Sequence, residues 1–266
     1  MLDEETIVGE LEDGDDVGTL RRMAEEGFPQ TRKVFDAVLE LACGSGPEWK
    51  ARGQGGITGE LVDIMNLVSD RSMTAYFNEA IGTEVDIVRF LSSVALAKIG
   101  DESSVFPLLG ALFDDYSWTV SYSAEALGNI GDRRAVFALM EVVRHFRDYP
   151  DDDDWNDASD SAITALGKLG DERALPALLE FDYTGGMMPL NVAKALGMIG
   201  HPSAIPALAK ELRKRPNSWE ENRDTRKDIE SALERCRGAS PKEGGLMLDA
   251  KIKPPKIANE KRKIRI

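Results

Sequence analysis

Four short phrases punctuate the middle of this chain: Ala97-Lys98-Ile99-Gly100-Asp101, Gly128-Asn129-Ile130-Gly131-Asp132, Gly167-Lys168-Leu169-Gly170-Asp171 and Gly197-Met198-Ile199-Gly200-His201. Their closing glycines stand 31, 39 and 30 residues apart. A period of that size belongs to helix pairs stacked side by side, each pair burying its apolar face only against its neighbours. The expected fold is therefore all-α: a right-handed superhelical solenoid, not a globule around one centre.

Each repeat can be read residue by residue. Asp171 follows a glycine and can cap the orphan amides of a new helix, while Gly170 can take the left-handed conformation that ends the previous one. Leu175, Leu178 and Leu179 then recur at helical spacing, and Val105 to Leu112, Ala135 to Val143 and Ala204 to Leu212 are equivalent first helices. Second helices align as Ser123-Ala124-Glu125-Ala126-Leu127-Gly128, Ala162-Ile163-Thr164-Ala165-Leu166-Gly167 and Val192-Ala193-Lys194-Ala195-Leu196-Gly197. Their small residues predict close helix approach. Pro107, Pro176 and Pro206 fall inside the first helices and predict bends there; Phe137 holds the matching slot in the second repeat, whose helix should be straighter.

These residues resemble the HEAT-like repeats named after phycobilisome (bilin) lyases, with their Asp-x-x-Ala-Leu/Val-Pro-Ala-Leu and later Ala-Ala-x-Ala-Leu-Gly-x-Ile-Gly phrases. The resemblance covers about 85–212. It implies the solenoid, and it implies either an interaction scaffold or a bilin-handling role. The family often places an arginine eleven residues before the final glycine; here Arg89 and, by extension, Arg226 hold that slot, whereas Val120, Ser159 and Pro189 do not.

Outside this stretch the pattern loosens. Residues 1–83 read as diverged N-terminal helical capping repeats with a Gly-rich loop, 84–237 as the solenoid, and 238–266 as a flexible basic tail. Upstream of the clear repeats, 17–26 and 29–43 read as a diverged pair, and further helices are expected over 57–69, 72–81 and, opening the solenoid, 84–99. The tail holds eight Lys/Arg against three Asp/Glu, so it is +5, and the rest of a chain that is −14 in all carries −19. An acidic body repels phosphate backbones, which excludes nucleic acid as the expected partner and favours a basic one.

Catalytic and metal motifs are absent from this reading. Cys43 and Cys236 make no disulfide framework and suit a reducing compartment. The two histidines, His145 and His201, have no ligand partners at metal spacing, so the iron site of the HEAT-like deoxyhypusine hydroxylases is not expected. The acidic insertion Asp148 to Asp157 begins like a calcium loop but lacks its glycine and its terminal glutamate, and is read as a solvated cap. An acidic start and the lack of a long apolar run predict a soluble, cytoplasmic protein with no membrane partner. No cofactor is expected. A bilin lyase would need cations for the pigment's propionates, and the sequence offers chiefly Arg89, Lys194, Arg226 and Lys227.

The expected function is a non-catalytic scaffold or adaptor that holds a protein or peptide. Trp49, Trp118, Trp155 and Trp219 fall in predicted loops, and the last three, with Met187 and Met188 between them, precede second helices and should line one rim. Second-helix positions facing the concave side should be Tyr122, Glu125, Asp160, Thr164, Asn191, Lys194, Arg226 and Lys227. The partner-binding candidates are thus Trp118, Tyr122, Glu125, Trp155, Asp160, Met187, Asn191, Lys194, Trp219 and Arg226.

Overall fold

A computed structural model describes residues 2–13, 16–44, 57–148, 156–180, 189–214 and 223–238. These residues form fourteen α-helices and no strand. In chain order they are α1 (Glu4–Asp13), α2 (Asp16–Glu26), α3 (Arg32–Gly44), α4 (Ile57–Asn66), α5 (Thr74–Ala80), α6 (Asp86–Ile99) and α7 (Val105–Ala111). Then follow α8 (Ser117–Ile130), α9 (Val136–Asp148), α10 (Asn156–Leu169), α11 (Leu175–Leu179), α12 (Leu190–Ile199), α13 (Ile205–Lys214) and α14 (Arg223–Gly238).

The even-numbered helices form one continuous row. Each of α2, α4, α6, α8, α10 and α12 packs on the next even helix, and odd helices cover the row from the other side as partners of the helices that follow them. The rows run through residue 83 without a break, because α4 packs on α6 and α2 on α4. The diverged N-terminal pairing differs from the expected one: α1 is an additional helix that pairs with α2, and α3 pairs with α4.

The seam between even helices depends on glycine. A Cβ on Gly128 would lie 2.9 Å from the Cα of Ala165, one on Gly167 would lie 2.8 Å from the Cα of Ala195, and one on Gly197 would lie 2.5 Å from the Cβ of Ala232. The Ala-Leu-Gly phrase is thus a reciprocal joint. Its glycine admits the next helix, its alanine is what the previous glycine meets, and its leucine (Leu127, Leu166, Leu196) is fully buried in the core. In α6 the glycine's slot holds Ala97.

The closing glycines do a different job. Gly131, Gly170 and Gly200 end their helices at φ of 80°, 60° and 70°, where an L side chain is strained. Gly100 departs from the pattern, with φ of −54° and ψ of 145°.

After each phrase comes a capped 3-10 turn. Asp101, Asp132 and Asp171 accept the backbone N–H two residues on at 2.8, 2.8 and 3.0 Å. His201 does the same through Nδ1 at 3.2 Å, so it replaces an aspartate cap as a cap. Asp70 is a fifth member, accepting from the Ser72 amide at 2.9 Å. The α-helix proper starts only after that turn, and this changes the meaning of the prolines. Pro107, Pro176 and Pro206 lie in the first turn of α7, α11 and α13, where a missing amide costs little. The 3-10 turn also precedes α9, which lacks proline, so proline is not what breaks the first helices. Counted from the caps, Pro107 stands one position beyond the slot shared by Phe106, Phe137, Pro176 and Pro206.

The Asp101, Asp132 and Asp171 carboxyls are all held below the ordinary 3.8, chiefly by hydrogen bonds from Ser103, Arg134 and Arg173 respectively. A carboxyl depressed in the folded state stabilises fully above its unfolded pKa, and the contribution fades as pH falls through the folded value. Asp171→Ala should therefore cost about 1 kcal/mol at neutral pH. Chemical denaturation across a pH series should show that difference vanishing below the depressed pKa. An unchanged gap in strong acid would mean that the cap acts through packing instead of charge.

Candidate functional site

The even row carries a groove of about 490 Å3 on its exposed side. Helix α8 contributes Trp118, Ser121, Tyr122 and Glu125; α10 contributes Asp157, Asp160, Ser161, Thr164, Ala165 and Lys168; α12 contributes Asn191. The i, i+4, i+7, i+11 spacing of Asp157, Ser161, Thr164 and Lys168 puts that set on one helical face. Ser121 and Ser161 hydroxyls meet at 2.8 Å across the α8–α10 seam. Asn191 Nδ2 donates to Asp160 Oδ1 at 2.5 Å across the α10–α12 seam. The floor is polar and already knitted, so the groove is preformed.

Its aromatic end is built from neighbouring turns. Trp118 sits in the first turn of α8, not in a loop, and packs on Tyr122 one turn later with ring centroids 6.5 Å apart and planes tilted by 33°. Phe90 of α6 supports Tyr122 edge-on at 5.8 Å and Tyr116 at 5.5 Å. Both Trp118 and Tyr122 are half-buried, leaving part of each ring in the groove.

The electrostatics are one-sided. Among the described residues, Glu125, Asp157 and Asp160 face a single lining cation, Lys168, whose Nζ is bonded to Asn129 Oδ1 at 2.8 Å; Asn129 in turn donates to the Ala97 carbonyl at 3.0 Å. Desolvation pushes the Asp160 carboxyl up, and the Asn191 bond opposes this while Asp157 adds to it. The Tyr122 phenol is pushed up first by burial, then by Glu125 and Asp157.

Of the ten residues selected from sequence, Trp118, Tyr122, Glu125, Asp160 and Asn191 come together in this groove, with Thr164 beside them. Trp155, Met187 and Trp219 lie outside the described residues, as do Trp49, Met188 and the aspartate run 151–154. Lys194 and Arg226 do not line the groove. Lys194 is paired with Asp228 at 3.1 Å, and Arg226 donates to the Leu212 carbonyl at 3.1 Å and lies 3.2 Å from Glu230. Lys227 is paired with Asp224 at 3.2 Å. Arg89 is a clamp: it binds Asp114 at 2.5 Å, Asp86 at 3.1 Å and the Thr83 carbonyl at 3.2 Å. All four cations counted toward the concave face are thus engaged by the protein's own acceptors. Ser121, Asp157, Ser161 and Lys168 were not selected; helical spacing from Tyr122, Glu125 and Asp160 is the signal that finds them.

Among the described residues no group of three or more His, Cys, Asp or Glu side chains is placed to hold a metal ion. No described helix is long and apolar enough to cross a membrane.

Comparison with known proteins agrees with the architecture. The PBS lyase HEAT-like repeat family matches at residues 121–145, 160–182 and 190–214. No curated protein matches the chain significantly. Among solved structures, an engineered protein is similar at 18% identity and a TM-score of 0.50, over 89% of this chain and 69% of that one. A designed armadillo repeat protein (16% identity, TM-score 0.44, 87% and 98% covered) and a computationally designed armadillo repeat protein for modular peptide recognition (16%, 0.43, 86% and 98%) are more distant. The observed helix rows and the three family matches together identify a helical solenoid carrying HEAT-like repeats of the PBS lyase type.

Proposed function

We propose that this protein is a non-catalytic scaffold that holds a protein or peptide partner along the concave groove of α8, α10 and α12. The observation that supports this best is the groove itself: three helices of successive repeats present half-buried rings and hydrogen-bonding side chains on one preformed floor. A surface ordered before binding does not pay to order itself during binding, so many modest contacts can sum to useful affinity. Polar lining suits a wet, reversible interface, and the −19 body speeds encounter with basic partners.

The bilin-lyase alternative carried by the repeat resemblance finds less support. Its propionates need cations in the groove, and none of Arg89, Lys194, Arg226 and Lys227 is among the residues that line it.

Panning a library of displayed short peptides against the full chain tests the scaffold reading. Peptides enriched on the parent should lose about tenfold or more in affinity on Tyr122→Ala, since a half-buried interface tyrosine is the type of residue that dominates such contacts. Enriched peptides that bind the folded variant within about twofold of the parent would place the partner surface elsewhere.

A further inference from the structure

We infer that the ring pair Trp118–Tyr122, with Glu125, Asp157 and Asp160, forms a pocket for an arginine guanidinium presented by the partner. The inference rests on the groove being a protein- or peptide-binding surface and adds the chemistry that the surface reads.

The protein supplies its own template. In three places it builds a trio of ring, carboxylate and guanidinium. Arg134 lies over the Phe106 ring at 5.0 Å with its edge bonded to Asp132, and Arg173 lies over Phe137 at 5.1 Å with its edge bonded to Asp171. Arg32 lies over Tyr76 at 5.4 Å and 3.8 Å from Asp36, which also accepts the Tyr76 hydroxyl at 2.8 Å. At Trp118 and Tyr122 the rings and carboxylates are present. Among the described residues, no cation meets Glu125 or Asp157, and Asp160 takes only the neutral amide of Asn191. Lys168 is committed to Asn129. The third member of the trio is the one that the described residues do not provide there.

Arginine fits better than lysine for a geometric reason. A guanidinium stacks flat on a ring while its five in-plane N–H groups point outward, so one side chain can satisfy tilted rings and flanking carboxylates at once. An ammonium is compact and strongly hydrated, and gives up more water to do less. Paired carboxylates also make charge-assisted, bidentate acceptors for the planar fork.

The test uses the full chain and three fluorescein-labelled Gly/Ser peptides carrying arginine, lysine or the neutral isostere citrulline at every second position. Fluorescence anisotropy at physiological salt should rank arginine about tenfold tighter than lysine, with citrulline not binding. Tyr122→Leu, which keeps an apolar side chain there and removes the ring's π face, should bring arginine down to the lysine value. Glu125→Gln with Asp157→Asn should weaken both basic peptides. Thermal unfolding of each variant checks that it is folded. Equal binding of the arginine and lysine peptides overturns the arginine assignment and leaves an acidic groove that binds basic chains. An arginine preference that survives both variants overturns the location. If no basic peptide binds, this inference fails, and the displayed-library experiment then decides the scaffold reading separately.

Discussion

Replacing Gly167 by valine should cost the protein about 3 kcal/mol and split its unfolding into two steps. The reason lies in the joint between α10 and α12. A Cβ at residue 167 would come within 2.8 Å of the Cα and 3.0 Å of the Cβ of Ala195. Both are at or on the partner backbone, so no rotamer change relieves the contact and the helices themselves must separate. Separation also uncovers Leu166 and Leu196, which are fully buried in the same seam. In a stack where each layer touches only its neighbours, weakening one interface uncouples the repeats on either side of it. A urea melt followed by far-UV circular dichroism should therefore broaden and resolve a less stable block beginning near α11.

Two controls separate this from the general effect of glycine. Alanine is the better helix former by about 1 kcal/mol, yet Gly167→Ala should still destabilise, because its single methyl meets Ala195. Gly110→Ala, in α7, where an added Cβ meets nothing within 4 Å, should instead stabilise by roughly 0.5–1 kcal/mol. If both alanine variants move stability the same way, close approach does not explain the Ala-Leu-Gly phrase.

The same joint shows why much of this fold is legible in sequence. A helix that must approach its neighbour's backbone tolerates only glycine or alanine, and the requirement recurs at each layer, so it is written as a period. The caps are legible for a similar reason: one side chain two residues from its amide. Asp70 escapes detection because Val68-Ser69 precede it instead of the glycine phrase, although its bond to the Ser72 amide is the same. Helix α1 and the true N-terminal pairing escape because nothing there repeats. Tyr122 is found as a concave residue and Trp118 only as a rim residue in a turn, and Asp157 is read as part of an acidic loop when it is the first groove-facing residue of α10. The Arg89 clamp is invisible to pattern. Its main partner, Asp114, lies 25 residues on, outside the helix that carries the arginine.

That clamp carries the second large effect. Arg89→Met should cost about 3–4 kcal/mol. Arg89 is only 17% exposed and the Asp114 side chain 4%, so this is not a surface pair that water would replace. Asp114 also accepts the Tyr116 amide at 2.9 Å, which fixes the entry into α8 and hence the position of Trp118 and Tyr122. Methionine fills the space of the arginine stem but leaves a buried carboxylate without its charge partner, and that uncompensated charge is the expensive part. Adding Asp114→Asn should recover most of the loss: the neutral side chain can still accept the Tyr116 amide and no buried charge remains. Arg226→Met offers the contrast. That arginine holds the equivalent slot beside a half-exposed Glu230 at 3.2 Å, and its removal should cost about 1 kcal/mol after solvent screening. Urea midpoints for the parent and these three variants form the check. If the double variant is no more stable than Arg89→Met, the clamp works by packing the turn between α7 and α8, and the buried charge is incidental to it.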